Sequence, residues 1–265
     1  MSFLDAAPFE GQVALVTGGA GGIGAQLCRD LARRGAAVAV VDVDQAACDA
    51  TAAVIRDAGG RAAGYGVDVR DSTAVHSATD AVVDELGGLN LLVTLAGGSL
   101  GTPRDLDDIG PDDLDLVIDV NLKGTFYSCQ AASGALRAAA GRGEPAAVVA
   151  VSSIGGRQPS PVTGVPYASA KAAVGGLTRR LAREWGPAGV RVNAVAPGLF
   201  LTGRLQRMYD DMPEAERRGV LDAIALARFP EVREIVEPIC YLLSPQASYI
   251  TGVVLDVNGG RFMPQ

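Results

Sequence analysis

Ala37–Val41 is apolar at every position, and so is Ala147–Val151. A strand with one face in water alternates apolar and polar residues, so uninterrupted runs of this kind fit the interior of a parallel sheet covered on both sides. That constraint fixes most of the architecture. Gln12–Thr17, Ala62–Val67, Asn90–Leu95, residues 190–195 and Val253–Val257 complete a set of seven predicted strands. Between them, helical spacing predicts helices at residues 23–35, 45–58, 72–86, 112–140, 166–185 and 232–243. Strands alternating with helices call for right-handed crossovers. The expected fold class is therefore α/β, a doubly wound parallel sheet of seven strands with helices on both faces. No repeat, low-complexity tract or linker divides residues 1–265, so one domain is expected. Residues 199–230 follow no regular pattern.

Several functions are excluded on composition. The chain carries 23 basic and 30 acidic residues, a net charge of −7 with the positive charges scattered. Nucleic-acid partners need a basic face, and anionic membranes attract basic clusters, so neither is expected. Four cysteines, Cys28, Cys48, Cys129 and Cys240, have no metal-ligand or CxxC spacing, and the single histidine, His76, has no second His to share a metal. No metal site is expected. The first residues lack the basic and apolar regions of a signal peptide, and no apolar run approaches the roughly 20 residues that span a bilayer. The expectation is a cytoplasmic protein.

In a sheet of this type ligands bind beyond the carboxyl ends of the strands, near the point where strand order reverses. The residues after the first strand are Thr17-Gly18-Gly19-Ala20-Gly21-Gly22-Ile23-Gly24. A pyrophosphate needs backbone N–H groups at a helix N-terminus with no Cβ blocking its approach. Gly18, Gly21, Gly22, Ile23 and Gly24 are thus candidate cofactor contacts. The cluster satisfies G-x-G-x-x-G, T-G-x-x-x-G-x-G and T-G-x-x-G-x-x-G together, so spacing alone does not choose among them. Asp42 ends the second strand, where a carboxylate can accept hydrogen bonds from ribose hydroxyls and repel a 2′-phosphate. NAD rather than NADP is the expected cofactor. Asp68 and Val69 after the third strand, the former toward the adenine edge, and Ala96 and Gly97 after the fourth are further candidates.

Only Lys123 and Lys171 among the basic residues are lysines. Lys171 follows Tyr167 by four positions on a helix opened by Pro166, so the two share one face. A phenol with a pKa near 10 is a poor base at neutral pH, and an adjacent ammonium favours the phenolate.

With these residues in view the chain resembles the short-chain dehydrogenase/reductase family over residues 10–260. The resemblance rests on Thr17–Gly24, Asp42, Asn121-Leu122-Lys123-Gly124, Ser152-Ser153, Tyr167–Lys171, Asn193 through Pro197-Gly198, Thr202, Ile250-Thr251-Gly252 and Asn258-Gly259-Gly260. It implies a Rossmann-like dinucleotide-binding and catalytic domain. Tyr167 would be the general acid/base and Ser153 would hydrogen-bond the substrate oxygen. Lys171 would lower the tyrosine pKa and bind the nicotinamide ribose, and Asn121 would hold a water in a proton relay. Pro197, Gly198 and Phe200, with Thr202, would hold the carboxamide. Two departures stand out. Thr94-Leu95-Ala96-Gly97 replaces the family's Asn-Asn-Ala-Gly, and Ser153 precedes Tyr167 by one residue more than the commonest spacing, with Ser152 as the alternative.

The implied activity is NAD-dependent interconversion of a secondary alcohol and a ketone. The alternatives are a 3-oxoacyl-thioester reductase of the same fold and a non-catalytic NAD-binding protein. Residues 199–230 carry apolar side chains at helical spacing and are expected to form a substrate lid, favouring a mostly hydrophobic substrate. Arg157 either meets a substrate anion or sits on the surface. The resemblance also implies a homotetramer built on helices 112–140 and 166–185.

Overall fold

The computed structural model describes residues 7–159, 162–201, 206 and 209–264. Seven strands form one sheet: β1 (Val13–Thr17), β2 (Ala37–Asp42), β3 (Arg61–Gly66), β4 (Leu91–Thr94), β5 (Ala147–Val151), β6 (Arg191–Pro197) and β7 (Val254–Val257). Their order is β3-β2-β1-β4-β5-β6-β7, with every neighbouring pair parallel. The helices are α1 (Gly22–Arg33), α2 (Gln45–Asp57), α3 (Ser72–Leu86), α4 (Pro111–Ile118), α5 (Gly124–Gly141), α6 (Val165–Trp185), α7 (Glu214–Asp222) and α8 (Arg233–Leu243).

The double covering shows in alternate residues of one strand. Ala14 and Val16 of β1 face a core built with Leu27 and Leu31 of α1, Ile55 of α2, and Ile235 and Ile239 of α8. Val13 and Leu15 face the opposite core, with Val82 of α3, Leu136 of α5 and Trp185 of α6. Local chemistry marks the helix ends. Asp44 caps α2 by accepting from the Ala47 N–H, and Asp71 caps α3 by accepting from Thr73 and Ala74. Gly87 closes α3 in a left-handed conformation.

The expected helix at 112–140 is interrupted. A π-helical turn, Asp119–Lys123, separates α4 from α5. Its cause is Asn121, whose Nδ2 donates to the Val117 carbonyl at 2.9 Å. That is the carbonyl the regular i−4 ladder assigns to the Asn121 N–H, so the side chain competes with the helix. Residues 199–230 also differ from the expectation of an irregular segment. They contain α7, whose only buried residue is Val220, so its apolar periodicity is too weak to read. Leu199 and Phe200 face inward, Leu199 packing with Val162 and with Val220 of α7. Both are buried, and Phe200 packs in the main core with Ile235 and Ile239.

Strand order reverses between β1 and β4, and there the chain is tightest. Gly18 has φ +70°, and a Cβ on it would stand 2.7 Å from the Ala96 nitrogen. A Cβ on Gly24 would overlap the Gly18 carbonyl, whereas one on Gly21 meets nothing closer than 3.6 Å. Gly24→Ala should lower stability by about 3 kcal/mol or more, as forced overpacking does. Gly21→Ala should leave the thermal midpoint nearly unchanged. Comparable melting of the two variants would contradict the packing described.

Candidate active site

Lys171 organises the carboxyl end of β5. Its side chain is 3% exposed, and Nζ donates to the Val151 carbonyl at 2.8 Å. The Lys171 carbonyl in turn accepts from Ser152 Oγ at 2.7 Å. Gly156 lies so close that a Cβ there would stand 2.5 Å from the Ala172 nitrogen. Strand, loop and α6 are thereby locked together around one lysine. Both serines border the cleft, but the Ser152 hydroxyl is buried and donates to the backbone, which leaves the half-buried Ser153 as the candidate for the substrate oxygen. Ser153 Oγ accepts from the Gly155 N–H at 3.1 Å, capping a short 3-10 turn at Ile154–Gly156.

One turn before Lys171, Pro166 opens α6 and Tyr167 points into the same cleft. Lys171 Nζ sits 5.7 Å from the Tyr167 ring centroid. Burial pushes the Tyr167 phenol above its ordinary value, and its hydrogen bond with Ser153 acts the other way. Burial also lowers Lys171 to about 8. Both shifts oppose the depression of the phenol expected from the neighbouring ammonium. The physical reason is that desolvation penalises both charged forms, and the ammonium is spent on the Val151 carbonyl.

Asn121 is fully buried and holds the loop after β4 from behind. Its Oδ1 accepts from Gly98 N and its Nδ2 donates to Gly98 O, both at 2.9 Å. Gly97 (φ +148°) must be glycine, since a Cβ would overlap Asn121 Oδ1. This coupling keeps the loop in place although Thr94 and Leu95 replace two asparagines. Gly98 and the π-helical turn were not legible from spacing, although the doubled glycine at 97–98 was a signal for a special backbone there.

The cleft encloses about 260 Å³. Gly21, Gly22, Ile23, Gly97, Ser153, Tyr167, Lys171, Pro197, Gly198 and Phe200 line it. Leu95, Val151, Ile235 and Ile239 supply apolar wall that the sequence reading did not select. Gly18 and Gly24 stand behind the loop as packing glycines, and Ala96 lies against Gly18. Gly198 N donates to Val257 O at 2.9 Å, so that N–H is committed to the sheet. Thr202 lies outside the described residues.

Gly21 precedes α1, whose first turn carries no side-chain cap and no acid. With open space at Gly21, this N-terminus fits an anionic pyrophosphate. Asp42 closes the same edge: its Oδ2 accepts from Ala20 N at 3.2 Å and its Oδ1 from Val43 N at 2.8 Å. Asp68 is held by Arg70 at 2.5 Å, which lowers its pKa, and Val69 is buried beside Gly124. Arg157, read from sequence as a surface or substrate-facing residue, pairs with Asp256 at 3.2 Å. Among the described residues no cluster of His, Cys, Asp and Glu could hold a metal, and no helix is long and apolar enough to cross a membrane.

A family profile described as enoyl-(acyl carrier protein) reductase matches residues 18–261. The cyclohexanol dehydrogenase of Rhodococcus sp. (strain TK6) is 37% identical, over 97% of this chain and 98% of its own. The (3R)-3-hydroxyacyl-CoA dehydrogenase of Rattus norvegicus is 36% identical, over 95% and 96%. A 3-oxoacyl-[acyl-carrier protein] reductase from Brucella melitensis, solved with bound NAD, superposes with a TM-score of 0.86 at 30% identity, covering 98% of this chain and 94% of its own.

The lysine's burial makes a testable contribution to stability. Its ordinary pKa is 10.5 and its folded value about 8. Between those values the unfolded chain binds more protons, so stability rises with pH. From pH 7 to pH 9.5 the native protein should gain about 2 kcal/mol relative to Lys171→Met, measured by urea unfolding. Parallel pH dependence in the two proteins would show that the ammonium is not desolvated.

Proposed function

The chain belongs to the short-chain dehydrogenase/reductase family of alcohol and ketone oxidoreductases, and on that premise we propose that it is an NAD-dependent enzyme that interconverts a secondary alcohol and a ketone with Tyr167 as acid/base. The observation that carries this reading is the meeting of Ser153, Tyr167 and Lys171 with Gly21 and Gly22 in one cleft. When bound, the nicotinamide ring supplies the two-electron acceptor or donor. Everything else falls to the chain. Gly21, Gly22, Ile23 and the α1 N-terminus would hold the pyrophosphate, Asp42 the adenosine ribose, and Pro197–Phe200 the carboxamide side. Asp68, Val69, Ala96 and Gly97 would complete the cofactor contacts. Ser153 Oγ donates to the substrate oxygen. Tyr167 Oη takes the hydroxyl proton in oxidation and returns it in reduction. Lys171 binds the nicotinamide ribose and holds its charge beside the phenol, while Asn121 anchors the relay through Gly98.

A carboxylate at Asp42 supports NAD, since a 2′-phosphate would be repelled there, and the Brucella relative was solved with NAD. The thioester reading is the alternative, supported by the hydroxyacyl-CoA and acyl-carrier relatives. A non-catalytic role would need a broken constellation, and Asn, Ser, Tyr and Lys are all present. We read the whole chain as one catalytic domain in which parts of 199–230 cover the substrate. Exposed Phe126 on α5 supports a homotetramer packed through α5 and α6. Four free, buried cysteines suit a reducing cytoplasm.

Tyr167→Phe should reduce kcat by at least about a thousandfold, within the range of acid–base contributions, while NADH binding survives. Retained turnover would remove Tyr167 from the acid/base role. NADH should bind more tightly than NADPH, and Asp42→Ala should narrow the gap. Equal affinities in the native protein would refute the Asp42 argument.

A further inference from the structure

A second cavity, of about 450 Å³, has Val162 and Val220 in its wall, and both pack with Leu199, which lies between the cleft residues Gly198 and Phe200. Each of its walls continues a segment that leads out of that cleft: Arg104 beyond Gly98, Gln158 and Val162 beyond Ser153, and Val220 of α7 beyond Phe200. Arg261, from the chain beyond β7, completes it. Among the described residues, ten arginines reach a carboxylate, including Arg34, Arg70, Arg142, Arg157 and Arg228. Arg261 does not: among the described residues no carboxylate lies within ion-pair distance of its guanidinium, although Glu216 borders the same cavity. The side chain is half-buried, and burial pulls its pKa down. In a chain of net charge −7, acids to pair it were plentiful.

Its backbone is nevertheless fixed. Arg261 N donates to Asn258 O at 3.2 Å, and Gln158 Nε2 from the substrate loop donates to Arg261 O at 3.4 Å. Asn258 closes the turn with Nδ2 donating to Phe262 O at 3.2 Å and Oδ1 accepting from Phe262 N at 3.3 Å. Arg157 lies over the Phe262 ring at 5.4 Å. A partly desolvated cation on a held backbone, with no acid paired to it among the described residues, is a preformed anion receptor. Val162 and Val220 make the rest of the wall apolar.

We infer that this cavity takes the anionic end of the substrate, so that the secondary alcohol or ketone carries a terminal carboxylate or equivalent oxyanion, bound by Arg261. The inference rests on the dehydrogenase reading above and departs from the expectation of a purely hydrophobic substrate.

The test pairs each 2-alkanol of four to eight carbons with the hydroxycarboxylate of equal length whose hydroxyl is next to the terminal methyl, for example 2-hexanol with 5-hydroxyhexanoate. With NAD⁺, the hydroxycarboxylate should have at least a tenfold higher kcat/KM at the best length, expressed in KM. Arg261→Gln should abolish that preference and leave kcat/KM for 2-hexanol unchanged, and Arg261→Lys should restore part of it. No preference at any length, or an equal loss for both members of the pair, overturns the inference while leaving the dehydrogenase reading intact. Calorimetric binding of hexanoate against hexanamide judges the cavity even if neither alcohol is oxidised. Hexanoate should bind at least tenfold more tightly, and the difference should vanish in Arg261→Gln. Equal binding in the native protein overturns it. Matched thermal midpoints of the variants exclude misfolding.

Discussion

The candidate site depends on a buried ammonium. Lys171 is taken out of water, donates to the last carbonyl of β5, receives the Ser152 hydroxyl on its own carbonyl, and lies against Gly156. An unpaired buried charge is costly, so the surroundings must hold it in a hydrogen-bonded geometry. Meeting that requirement fixes strand, loop and helix relative to one another. Ser153 and Tyr167, on either side of this joint, are then delivered to one cleft without needing direct contact with the sheet core. Their precision derives from the lysine's confinement, and the lowered pKa of Lys171 is the cost of it.

The second organising constraint is the parting of β1 and β4. There the chain comes so close to itself that only glycine fits at residues 18 and 24. These two glycines build the turn, whereas Gly21 and Gly22 open toward the cleft. Packing and ligand approach are thus divided among residues that look alike in sequence. Across the cleft, the loop after β4 is held by Asn121 through two hydrogen bonds to Gly98. The fold therefore tolerates Thr94 and Leu95, because that junction is secured from the turn between α4 and α5.

Legibility differed from one feature to another for physical reasons. The doubly apolar strands and the helices with clear periodicity stood out, because burial on both faces leaves a strong composition signal. The Tyr167–Lys171 pair was visible because helical spacing is local. The break at Asp119–Lys123 was hidden, since it arises from one side chain competing with the backbone. Helix α7 was hidden because it buries little. The residues that close the second cavity come from distant parts of the chain, and no local pattern could have joined Arg104 to Arg261.

The sequence by itself determined the class of fold, the order of its elements and the residue types available for chemistry, since these follow from local periodicity and the steric demands of glycine and proline. Only the tertiary structure decided which serine hydroxyl is bound to the Lys171 carbonyl, which glycines are structural, and which charged side chains line the second cavity. Those outcomes turn on where hydrogen-bond partners and carboxylates fall in space. Segments far apart along the chain make those contacts, and their side chains compete for the same few polar atoms.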